Sequence, residues 1–228
     1  MCEQRYHGVV ACALGWACWK TYLGRPETDG TRRMAMGTLG NGLQAARQFE
    51  DELSIREAEL STLRRVGDSE CNILAMQGNL AGSYQRLGRL DEALSIRRDV
   101  YSGFSKLYGI ENEYTLLTVN NYVNSLLETG HFEEAKSLLR KSVPVARRVM
   151  GTGNVNTLRL RWNYAMALYR DTGATLDDLR EAVTTLEDAG RIARRLLGGA
   201  HPITKDIDAI LLNLRAALRA RQTPPSSA

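Results

Sequence analysis

Only five of the thirty basic residues are lysine, four residues in the chain are cysteine and three are histidine. Each scarcity excludes something. Cys2, Cys12, Cys18 and Cys71 make no secreted disulfide framework in a chain of 228 residues, and no CxxC occurs. Cys12 and Cys18 with His7 lack the tight paired spacing of a structural zinc site, so the cysteines read as small buried apolar residues. The histidines (His7, His131, His201) are scattered, and no nucleophile elbow, phosphate loop or metal-ligand pair accompanies them. No catalytic residue, metal or other cofactor is expected. The apolar run from Val9 to Trp19 is too short for a membrane span. Two tryptophans and Lys20 make it an amphipathic helix rather than a secretory signal, which leaves a cytoplasmic protein without membrane contact as the expectation.

What is abundant is arginine. With lysine so rare, 25 of the basic residues are arginine, and the net charge is +4. Guanidinium groups suit bidentate recognition of phosphate or carboxylate. They also suit the last turns of helices, where cations complement the partial negative charge. The hydrophobic content of 43% and charged content of 25% are those of a folded chain.

A stretch beginning NLAGSYQRLGRLDEALSIRRDVYSGFSKLYG at Asn79 returns 42 residues later as NYVNSLLETGHFEEAKSLLRKSVPVARRVMG at Asn121, and again from Asn163. A fixed period of this size predicts stacked units, each too small to bury its own apolar face. Glycines close the units at Gly67, Gly109, Gly151 and Gly198, the last gap being 47. Arginine pairs precede three of them, at Arg64-Arg65, Arg147-Arg148 and Arg194-Arg195. A second glycine, Gly88, Gly130 or Gly173, splits each unit into a helix pair.

The expected organisation follows. Residues 1–24 form an N-terminal helix with no partner ahead of it, read as an unusual cap or a truncated repeat. Val9, Val10, Leu14 and Trp16 would leave an apolar patch on it. Residues 25–37 form a linker and 38–67 a degenerate repeat, in which Arg47 stands where the splitting glycine should be. Full repeats occupy 68–109 and 110–151, an expanded repeat 152–198, and a closing helix 199–221. Residues 222–228 (QTPPSSA) form a disordered tail. Pro144 is expected to kink or break the second helix of its repeat, with Ser102-Gly103 and Gly190 near the equivalent positions.

The N-L-A opening, the G-x-x-D-E-A turn, the long second helix ending near R-x-x-L-G and the following H-P resemble the tetratricopeptide repeat. The 42-residue spacing is similar to that of the kinesin light chain variety, from Thr38 to Arg221. The resemblance implies an all-α fold, a right-handed superhelical solenoid of antiparallel helix pairs. It implies a protein-protein adaptor whose first helices line a concave groove for a peptide or partner helix, as in kinesin light chains that take acidic, tryptophan-containing cargo.

The motif asparagines fall at Asn79, Asn121 and Asn163. Neighbouring groove positions add Asn120, Asn124 and Arg159, and the helix ends add Gln85, Arg86 and Arg170. Arg86, Arg159 and Arg170 would favour an acidic ligand, while Glu128 interrupts the basic lining. Gly78 and Gly82 stand where the family's carboxylate clamp needs its first lysine and asparagine, so capture of a chain terminus is not expected. Each asparagine has two readings, contact with a ligand or a bond to the next helix. Trp162 and the tyrosines at 84, 122, 164 and 169 read as packing. A nucleic-acid-binding helical repeat is the alternative function, supported by the arginine excess and a pI near 8.9. It lacks a base-reading pair in every repeat.

Overall fold

A computed structural model describes residues 2–222; the tail expected at 222–228 lies, beyond its first residue, outside the described part. The described residues form ten helices and no strand. They are α1 (Cys2–Tyr22), α2 (Gly30–Ala45), α3 (Phe49–Arg65), α4 (Glu70–Arg86), α5 (Leu90–Tyr108), α6 (Glu113–Glu128), α7 (Phe132–Val149), α8 (Val155–Arg170), α9 (Leu176–Leu197) and α10 (Pro202–Gln222). The fold of the described residues is all-α.

Side-chain caps explain where the first helix of each pair begins. Asp29, Ser69, Asn112 and Asn154 stand before α2, α4, α6 and α8, and each accepts a hydrogen bond from a free N–H of the first turn. Thr175 opens α9 in a capping box with Asp178, each side chain bonding the other's backbone N–H. At the far ends Gly67, Gly88, Gly109, Gly130, Gly151 and Gly198 hold positive φ. Arg47 takes the same left-handed conformation at φ 62°, so it performs the glycine's turn at a conformational cost. Gly173 is not among the positive-φ residues. There the turn is made by Asp171, which accepts from the Gly173 N–H at 2.9 Å.

The structure departs from the expected organisation in three further places. Helix α2 begins at Gly30, inside the stretch 25–37 expected to be a linker, because Asp29 caps it. Helix α1 is packed against α2 through glycine. A Cβ at Gly42 would lie 2.6 Å from the Ala11 carbonyl oxygen, and one at Gly15 2.9 Å from the Leu39 Cα. Pro144 does not break its helix: α7 runs uninterrupted from Phe132 to Val149. The small residues near its equivalent positions serve packing, since Gly103 leaves room for Leu74 and Gly190 for Ile207.

The chain divides into two compact units, 1–103 and 104–228. In the first, Leu53, Leu60 and Leu80 form an apolar cluster with Ile73, Met76, Tyr84, Leu87 and Ile96 against it. Beside this core lies a buried ionic network. Arg56 is 4% exposed and donates to Glu59 and Asn41, while Glu52, fully buried, takes both Arg56 and Arg86. Burial pushes the Glu59 carboxyl above its ordinary value against the pull of Arg56. Gly40 makes space for the network, since a Cβ there would sit 2.8 Å from the Arg56 Cζ. Val9, Val10, Leu14 and Trp16 are all exposed, 40–65%.

In the second unit the 42-residue period is visible in single hydrogen bonds. Thr115 Oγ1 donates to the Phe104 carbonyl at 3.2 Å, and Thr157 Oγ1 donates to the Ala146 carbonyl at 3.3 Å. Tyr122 bonds Glu134 across its helix pair and Tyr164 bonds Glu181 across the next. The second acceptor is shifted because α9 is four residues longer than α7 and the turn before it two residues longer. Leu116, Leu126, Leu139, Leu158, Leu160, Leu168, Leu179, Leu186, Ile207 and Leu214 fill the interior.

Two substitutions test these local arguments. Arg47→Gly is expected to raise stability by about 0.5–1 kcal/mol by removing the left-handed penalty, measured by urea denaturation. Gly40→Ala is expected to lower it by about 1–3 kcal/mol, because the buried Arg56 has nowhere to retreat. Acid provides a third test. Hydrogen bonds from the Thr175 backbone and hydroxyl hold the Asp178 carboxyl below its ordinary value. The folded form then binds fewer protons than the unfolded one, so this stabilisation is present above the ordinary aspartate range and lost as pH falls through and below it. The melting temperature of Asp178→Ala should lie below that of the native chain at neutral pH, with the gap closing in acid.

Candidate functional site

Within the second unit, α6, α8 and α10 surround a cavity of about 190 Å³. Asn120, Asn121 and Asn124 reach it from α6, Arg159, Trp162 and Asn163 from α8, and Ile203 and Asp206 from α10. The spacing is helical: 120, 121 and 124 share a face of α6, as do 159, 162 and 163 on α8. Five of the nine residues singled out from the sequence therefore meet at one place.

Their roles differ. Asn163 is 2% exposed and donates from Nδ2 to Asn120 Oδ1 at 3.4 Å. Asn120, 7% exposed, donates in turn to the Asn156 carbonyl at 3.3 Å. For these two the interhelical reading holds, although Asn163 Oδ1 stays buried without a partner. Asn121 and Arg159 are exposed and Asn124 is half-buried. Trp162 is more than packing: its half-buried ring lines the cavity, and its Nε1 has no hydrogen-bond acceptor. Buried donors and acceptors of this kind are rare in folded chains, since each costs about 1–3 kcal/mol.

The charges on the cavity wall are one of each sign. Among the described residues neither Arg159 nor Asp206 has an ion-pair or hydrogen-bond partner for its side chain. Many arginines in this chain are engaged elsewhere: Arg25, Arg33, Arg65, Arg89, Arg148, Arg180, Arg191, Arg194 and Arg215 pair with carboxylates on the surface, and Arg161 pairs with Asp188. Asp206 and Ile203 were not recognised in the sequence. They sit in the first turns of what read as a closing helix, and nothing local marks them as cavity residues.

The remaining expected residues fall outside this cavity. Asn79 is exposed on α4 in the first unit. Gln85 accepts from Arg97 Nη2 at 2.5 Å, closing its own helix pair. Arg86 is not available to an acidic ligand: its guanidinium grips buried Glu52, with Nε at 3.1 Å and Nη2 at 2.6 Å. Arg170 is exposed and lies over the Phe132 ring at 5.9 Å. Tyr122 and Tyr164 are buried and bonded to Glu134 and Glu181, the packing role expected of them. Cys12, Cys18 and Cys71 are free thiols. Among the described residues no group of three or more His, Cys, Asp and Glu side chains is placed to hold a metal ion. No described helix is long and apolar enough to cross a membrane.

The recurrence of one threonine-carbonyl bond 42 residues apart matches what comparison with known proteins shows. Residues 72–148 match the family model of the tetratricopeptide repeat. Over that stretch the chain carries tetratricopeptide repeats, and its fold is similar to those of kinesin light chain-like repeat structures. Its fold is similar to the kinesin light chain nearly identical TPR-like repeats of Podosopora anserina, with a TM-score of 0.66 and 21% identity. That match covers 81% of this chain and 86% of the other. It is similar also to BtubC (BKLC) of P. vanneervenii, with a TM-score of 0.60, 13% identity, and 99% and 95% of the two chains covered. A third similar structure is a Rap protein complexed with competence and sporulation factor (TM-score 0.60, 15% identity), of which this chain matches 62% and is itself covered over 96%. These identities show a shared fold. No curated protein matches the sequence.

The repeat chemistry gives Arg86 a structural role that can be checked. Arg86→Met is expected to lower stability by about 1–3 kcal/mol, because Glu52 is fully buried and keeps only the Ser83 hydroxyl and the more distant Arg56, at 3.8 Å. Thermal and urea melts of the variant measure it. An unchanged melting point would show that the Glu52 pairing is dispensable.

Proposed function

We propose that the chain is a non-enzymatic scaffold that holds a peptide or helix of a protein partner against α6 and α8, in the manner of an adaptor. Tetratricopeptide repeats are in general interaction scaffolds. The observation that carries the reading is the cavity between α6, α8 and α10. It gathers three exposed or half-buried polar side chains (Asn121, Asn124, Arg159) around an indole whose N–H lacks an acceptor. Asparagine offers both a donor and an acceptor to a main chain, and an aromatic ring with a polar edge is the usual anchor of a protein contact. The Rap protein complexed with competence and sporulation factor, which shares the fold, supports capture of a partner. A cytoplasmic setting belongs to the same reading, supported by the three free thiols.

The arginine excess that favoured nucleic acid has another use. The carboxylate pairs named above engage twelve of the 25 guanidinium groups, which are then not free for a phosphate backbone.

The double substitution Asn121→Ala with Arg159→Glu, made in the full chain, tests the proposal. Partner capture from lysate should be lost while helical content by circular dichroism is unchanged. Retention of the same partner by the folded variant would refute the assignment to this face. Recovery of nucleic acid alone, lost steeply as salt rises, would favour the other class of ligand.

A further inference from the structure

The ligand chemistry of the cavity is narrower than an acidic peptide. Arg159 and Asp206 are the two charged residues on its wall, one from α8 and one from α10. Among the described residues neither has an ion-pair partner, so the two share a cavity without pairing with each other. An acidic ligand would satisfy Arg159 and be repelled by Asp206; a basic one would do the reverse. Trp162 and Asn163 line the same cavity, and the Trp162 Nε1 and Asn163 Oδ1 are buried without a hydrogen-bond partner. Asn121 and Asn124 extend the neutral polar lining. At about 190 Å³ the cavity has room for one or two residues of an extended strand and not for a folded surface.

We infer that the α6/α8/α10 cavity takes a peptide segment with one anionic and one cationic side chain close together, the anion against Arg159 and the cation against Asp206. This rests on the scaffold reading above and sharpens it. Specificity comes from two opposed charges, each of which rejects a uniformly charged competitor.

The test uses the full chain and four short synthetic peptides that are identical apart from two nearby positions. These carry Glu and Lys, Lys and Glu, two Glu, or two Lys. Binding is read from the Trp162 indole N–H resonance, assigned by its absence in Trp162→Phe. One of the two mixed peptides should move that resonance and bind roughly five- to thirty-fold more tightly than either uniform peptide, the range expected of two exposed ion pairs. Asp206→Lys should switch the preference to the two-Glu peptide, and Arg159→Glu to the two-Lys peptide. If all four peptides move the resonance equally, or Asp206→Lys leaves their ranking unchanged, the charge inference fails while binding at this face stands. If none moves it, the inference fails, and a partner footprint by hydrogen exchange away from α6 and α8 shows that the scaffold face was also misplaced.

Discussion

A pair of short antiparallel helices leaves one apolar face uncovered, and in this chain only the next pair can cover it. That constraint sets the register of everything else. Leu116, Leu126, Leu158 and Leu168 are all fully buried, 42 residues separating 116 from 158 and 126 from 168. The threonine hydroxyls at 115 and 157 bond carbonyls eleven residues upstream, so each new pair is tied to the helix before it by a polar contact as well as by packing. A slip of one residue would rotate the leucines by about 100° out of the core and break the threonine bond in the same step.

Polar groups caught inside such a stack must find partners there. The first unit solves this with Glu52, Arg56, Glu59 and Arg86, a network admitted by the absence of a side chain at Gly40. In the second unit Asn163 and Asn120 bond each other across the α6–α8 contact. The same contact leaves a carbonyl oxygen on Asn163 and an N–H on Trp162 unanswered. Other buried polar atoms also lack partners, among them Arg161 Nη1 and Thr204 Oγ1. What distinguishes the Trp162 and Asn163 side chains is that both line a cavity whose two charged residues are also unpaired.

Arginine illustrates how position decides meaning. Arg65 forks onto Glu27, Arg194 onto Asp208 and Arg161 onto Asp188 and a carbonyl of α9. The last two join consecutive helices, α9 with α10 and α8 with α9, and the first ties α3 to the turn before α2, which is where a fork of five donors is most useful. Arg159, two residues from Arg161 on α8, points at a cavity instead. Helical rotation of about 200° between them is the whole difference.

The tetratricopeptide period, the helix pairs and the glycines at helix ends were legible in the sequence because each depends on near neighbours. The asparagines and Arg159 were legible because the repeat transfers helix faces from one copy to the next. Local reading failed where distant chain segments decide. Arg47 reads as a lost turn, although its left-handed backbone makes the same turn. Residues 30–37 read as linker, although Asp29 caps a helix that starts at Gly30 and packs against α1. Arg86 reads as a ligand-binding cation because Glu52, its fully buried partner, lies 34 residues earlier. By itself the sequence determined the fold, through periodicity and capping, since those energies are local and repeat. Only the tertiary structure decided the site, because bringing Asp206 of the closing helix to the same cavity as Arg159 and Trp162 depends on how α10 packs beside α8.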